Sequence, residues 1–159
     1  MTSPVTVRPC AAEDVAVIAA TEPPGASVAE RLFARQESGE LIYLVAWVGD
    51  VPVGHGALTL APPRELRHLH VVEQHRGRGV GSAIVRAAEE ASVDAGTLSI
   101  GVALDNPDAR RLYERLGFRG TGELTTTTYT YVDDDGEHEA TETDERLVKQ
   151  LAGADVGPG

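Results

Sequence analysis

Apolar residues along this chain alternate with polar ones, run together, or recur every third to fourth position, and each change of rhythm marks an element. Val5-Thr6-Val7-Arg8, closed by Pro9, is a short alternating strand. Ala11 to Ala20 has helical spacing with Glu13 and Asp14 in its first turn, until Glu22-Pro23-Pro24-Gly25 breaks it. Ser27-Val28-Ala29-Glu30 has the form of a capping box, which predicts a second helix from Val28 to Glu37. Leu41 to Val48 is apolar almost throughout, Gly49-Asp50 is a two-residue turn, and Pro52 to Leu60 completes a hairpin. Glu65 to Val72 is the next strand. The helix beyond it places Ala83, Ile84, Ala87, Ala88 and Ala91 on one stripe and stops at Gly96.

Leu98 to Leu104 reads as a buried strand, and Asn106-Pro107-Asp108 opens a helix that ends before Gly117. Gly122 to Val132, rich in Thr and Tyr, and Glu137 to Leu151 form a last hairpin around Asp133-Asp134-Asp135-Gly136. Ala152 to Gly159 is a polar, Gly-rich tail, expected to be disordered. The order β-α-α-β-β-β-α-β-α-β-β predicts an α/β protein with a mixed sheet, helices on both faces, and one domain over residues 1–151.

Composition narrows the classes. With 14 Lys and Arg against 25 Asp and Glu the net charge is −11, which argues against nucleic acid or an anionic membrane as partner and permits a cationic substrate, most of the carboxylates serving solubility. Cys10 is the single cysteine, so a disulfide framework and a Cys-cluster metal site are excluded and no metal is expected. Met1 to Arg8 lacks the basic and apolar regions of a signal peptide, and no stretch approaches the ~20 apolar residues of a membrane span. A soluble, cytoplasmic protein is expected.

Candidate chemistry concentrates between Leu69 and Ser82. Gly77, Gly79 and Gly81 allow the backbone amides to point one way, the next helix adds its positive N-terminus, and Arg76 and Arg78 add mobile charge. That is a design for holding an anion. A dinucleotide fingerprint would need glycine where Ser82 stands, and a P-loop would need a Lys-Ser or Lys-Thr that does not follow. Arg-x-x-Gly-x-Gly does fit across Arg76, Gly79 and Gly81, preceded by Leu69-His70-Val71. In this the sequence resembles the GNAT superfamily of N-acetyltransferases, whose pyrophosphate loop has that form. A second stretch, Asn106-Pro107-Asp108-Ala109-Arg110-Arg111-Leu112-Tyr113-Glu114-Arg115-Leu116-Gly117-Phe118, is similar to the superfamily's Asn-x-x-Ala-x-x-Leu-Tyr-x-x-x-Gly-Phe, and the element order agrees from about Val5 to Leu151.

The resemblance implies the acyl-CoA N-acyltransferase fold, with a mostly antiparallel mixed sheet of six to seven strands. It also implies acetyl transfer from acetyl-CoA to a primary amine, on a small molecule or a lysine side chain. By that resemblance the pyrophosphate sits on Arg76, Gly77, Arg78, Gly79, Val80, Gly81 and Ser82, and the pantetheine arm lies along Leu69, His70 and Val71. Asn106 matches a pantetheine contact and is equally a helix cap. Tyr113 matches the tyrosine that protonates the departing CoA sulfur. Glu65 is the nearest counterpart of the base that histone-type members carry on this strand. Gly101 stands where members that acetylate protein N-termini often carry Glu, which disfavours that acceptor. His68 and His70 also compete for the base, as does water; His55 and His75 have weaker claims. By strict alternation His68 and His70 face away from Glu65, Arg67, Leu69 and Val71. The resemblance leaves open a homodimer and a second reading, an acyl-CoA-binding module without transfer.

Overall fold

A computed structural model describes residues 4–151; the expected disordered tail lies outside the described residues. Seven strands and four α-helices follow the predicted order: β1 Val5–Pro9, α1 Asp14–Ala19, α2 Val28–Glu37, β2 Leu41–Val48, β3 Val51–Thr59, β4 Glu65–Val71, α3 Val80–Ala91, β5 Thr97–Ala103, α4 Pro107–Arg115, β6 Arg119–Asp133 and β7 Gly136–Gln150. The chain divides into two compact units, residues up to Leu98 with Leu151, and Ser99–Gln150.

In the first unit β1, β2, β3 and β4 lie side by side in that order, each antiparallel to the next. β2 is apolar on both faces because both are covered. Leu41, Tyr43, Val45 and Trp47 share a core with Cys10, Ile18, Ala29, Leu32 and Ala57. On the other face α3 packs across all four strands, burying Val80, Ile84, Val85 and Ala88. Gly54 and Gly56 of β3 make room for it. A Cβ at Gly54 would stand 3.1 Å from Val80 Cγ1, and one at Gly56 3.1 Å from Ile84 Cγ2. Of the expected α3 stripe Ile84 and Ala88 are buried, joined by Val80 and Val85, while Ala83, Ala87 and Ala91 are half-buried.

Two local expectations change. Helix α1 starts at Asp14, because the Asp14 carboxylate accepts the Ala11 N–H at 2.9 Å and Arg8 Nη1 at 2.6 Å and so holds the preceding residues in a turn. The capping box of α2 does not form. Ser27 adopts a left-handed φ of 53° with no side-chain cap, and Glu22 instead accepts the Val28 and Ala29 N–H groups at 3.1 and 2.8 Å.

In the second unit β6 and β7 pair antiparallel from Arg119 opposite Val148 to Asp133 opposite Gly136, with an irregularity between Gly120 and Leu124. Thr126 and Thr128 meet Thr143 and Thr141 across the ribbon through their hydroxyls. β6 bonds to no strand but β7 among the described residues. Its whole length is exposed, and its distal half includes Tyr129, Tyr131 and Val132.

Candidate functional site

The glycine loop has the backbone its sequence demands. β4 ends at Val71, a 3₁₀ turn covers Glu73–His75, and Gly77 and Gly79 then take left-handed φ values of 77° and 84°. Side chains other than glycine pay for that conformation. Nothing lies within 4 Å of a Cβ built at either position, so handedness rather than crowding selects glycine. Gly79 caps α3 without a side chain, and no acid occupies the first turn. The Val80, Gly81 and Ser82 N–H groups therefore point from a helix N-terminus with no carboxylate of that turn to neutralise it, which suits an anion. The two arginines differ. Arg76 Nε donates to Val71 O at 3.0 Å, tying the loop to the strand. Arg78 is exposed and bonds to no described residue.

Strict alternation fails on β4, and the side chains are re-aimed. His68 has φ 57°, and the pairing jumps from His55↔His70 to Ala57↔Arg67, so His68 and Leu69 both stand opposite Gly56. This is a β-bulge, which shifts all later side chains by one face. Cross-strand partners share a face, so His70, opposite His55, joins Arg67 and Glu65, opposite Ala57 and Thr59. Val71 goes with Leu66 to the α3 face, where its Cγ2 lies within reach of Gly81. The expectation that His70 faces away from Glu65 is thus corrected.

Glu65 Oε1 accepts Arg67 Nε at 2.8 Å, and its side chain is 20% exposed. The His70 and His55 rings lie 5.6 Å apart, and Tyr43 meets His55 edge-on at 5.9 Å. Burial, with His70 and His68 adding to it, pushes His55 down to about 4 and keeps it neutral. The Tyr43 hydroxyl is sealed without a partner among described residues. The place of His55 beside His70 has no signal in the sequence, because the two meet only through the bulge.

The second unit holds Asn106 and Tyr113. Asn106 Oδ1 accepts the Ala109 N–H at 3.1 Å, so the cap role is realised. Tyr113, 7% exposed, packs edge-on to Phe118 with ring centres 6.3 Å apart. Its hydroxyl bonds to no described residue, and burial pushes the phenol above its ordinary value. The group is therefore a neutral phenol. Gly101 on β5 is exposed.

A mouse protein named "Probable N-acetyltransferase family 8 member 5" is 36% identical over 88 residues, which are 54% of this chain and 37% of that protein. The match thus spans little more than a third of that relative's length. The fold is that of the ribosomal-protein-S18-alanine N-acetyltransferase from Escherichia coli, with a TM-score of 0.67, 18% identity, and 98% of this chain and 99% of that one covered. A GNAT family acetyltransferase from Elizabethkingia anophelis with acetyl-CoA bound gives a TM-score of 0.65 at 15% identity, covering 92% and 98%. These likenesses establish the α/β fold, a mixed sheet with helices. The acetyltransferase (GNAT) family model matches residues 12–118, glycine loop and α4 motif included, and the chain belongs to that family.

Proposed function

We propose that this protein transfers the acetyl group of acetyl-CoA to a primary amine, on a small molecule or a lysine side chain, by direct attack on the thioester. The observation that carries this is the Gly77–Gly79 turn into an α3 N-terminus whose first turn holds no acid. It suits the pyrophosphate of CoA, with Arg78 the loop arginine that bonds to no described residue. Backbone groups of Leu69, His70 and Val71 are assigned to the pantetheine arm, and residues 1–151 are read as one N-acetyltransferase domain.

The chemistry needs three proton movements: two off the nitrogen and one onto the leaving sulfur. Glu65 takes one proton from the ammonium, releasing the nucleophilic lone pair; the nitrogen attacks the thioester carbon; as the intermediate collapses the C–S bond breaks, Tyr113 protonates the leaving thiolate, and the second nitrogen proton leaves to restore the phenol. The Glu65–Arg67 ion pair favours one alternative, an acyl-CoA-binding module that does not turn over. Free thiol, followed with acetyl-CoA and a panel of polyamines, aminoglycosides, amino acids and lysine peptides, separates the two. Release with one amine class supports transfer; calorimetric binding of acetyl-CoA with silence across the panel supports the module. Glu65→Gln should flatten the acidic limb of the kcat/KM profile, and an unchanged limb removes Glu65 as base.

A further inference from the structure

α4 is nine residues long, too short to fix its own orientation through helical hydrogen bonds. It borrows its placement within the second unit. Asn106 caps one end, and at the other the Phe118 N–H donates to Tyr113 O at 3.0 Å. The flank is held by Arg110, one turn before Tyr113. Arg110 Nη1 donates to Glu145 Oε1 at 2.6 Å, and Arg110 Nε donates to Glu114 Oε2 at 3.0 Å. The other Glu145 oxygen accepts the Gly122 N–H at 3.0 Å. One carboxylate thus clamps the helix to β6 from its seat on β7.

An exposed ion pair usually contributes little. Three features set this one apart. The Glu145 side chain is only 14% exposed. Its fork uses a backbone N–H as well as the guanidinium, and Arg110 followed by that N–H holds the carboxyl below the usual carboxylate range. β6 is also shaped around it: a Cβ at Gly120 would collide with Glu145 Oε2 and stand 2.6 Å from Arg110 Nη2, and the strand register slips immediately afterwards. Glycine at 120 gives the pair its space.

We propose that Glu145 is a positioning residue for acetyl transfer, which acts through Arg110 to fix the rotation of α4 that aims the Tyr113 hydroxyl at the leaving thiolate. This rests on the transferase reading above. The test is a double-mutant cycle on the full chain, with acetyl-CoA and an amine that the wild type accepts. Glu145→Gln should lower kcat about tenfold while KM for acetyl-CoA stays within about twofold, and that loss should vanish in a chain already carrying Tyr113→Phe. Arg110→Gln should behave alike and add nothing to Glu145→Gln, which provides a second route if one variant folds poorly. Equal losses with and without the Tyr113→Phe substitution overturn the positioning role alone. A wild type that acetylates no amine overturns the transferase reading and this role with it.

Discussion

In the proposed transfer the Tyr113 phenol, which burial holds above its ordinary value, is the group that protonates the departing thiolate. Tyr113→Phe should therefore lower kcat about a hundredfold with little change in KM for acetyl-CoA; an equal kcat in steady-state assays would remove the acid role. His55 makes a different prediction. Its folded value of about 4 lies below the ordinary 6.5, so between these the unfolded chain binds a proton that the folded chain refuses. The stability it confers is full above the higher value and is lost as pH falls toward the lower one. Thermal midpoints between these pH values should fall less steeply for His55→Gln than for wild type, and parallel slopes would show that His55 is not the source. At this scale the loop was legible, because a left-handed φ at Gly77 and Gly79 is nearly a property of glycine itself. The pairing of His70 with His55 was hidden, since it depends on one bulge residue, His68, whose type gives no bulge signal.

At the scale of elements, caps illustrate the same boundary between local and non-local information. Asn106-Pro107-Asp108 specifies its own helix start, and the Asn106 cap forms as read. Ser27 has the right letter but the wrong backbone, and α2 is capped from five residues earlier by Glu22. Glu22→Ala should cost about 1–2 kcal/mol in urea unfolding, whereas Ser27→Ala should cost almost nothing; the reverse order would restore the capping box. Strand boundaries were readable to within a residue for β2, β3 and β7, where turn residues punctuate the chain, whereas β6 starts at Arg119, three residues before the expected Gly122. Helix α1 was overextended because the turn ahead of Asp14 depends on Arg8, a residue of the preceding strand.

For the molecule as a whole, the element order was enough to indicate the fold, since β-α-α followed by a hairpin and crossover helices leaves few topologies. The division into two units was not legible, because its boundary falls inside β5 with no change of composition to announce it. Net charge acts at this scale too. With −11 overall and Glu137, Glu139, Glu142 and Asp144 along β7, encounters with a polycationic acceptor should be steered by the protein's field. KM for such an acceptor should rise between about 50 and about 300 mM salt, while that for a monoamine should move little. Equal shifts for both would show that the field plays no part.

The free side of β6 has a consequence for handling the protein. From Thr125 to Val132 the strand carries no charge, proline or glycine, and it is exposed throughout. An edge of that composition is a template for further strands, which natural sheets usually blunt with lysine or a bulge. Concentrated stocks should therefore cloud by intermolecular strand addition at this ribbon. Thr128→Lys should slow the rise in light scattering on storage without altering the thermal midpoint, and an unchanged clouding rate would place the sticky surface elsewhere.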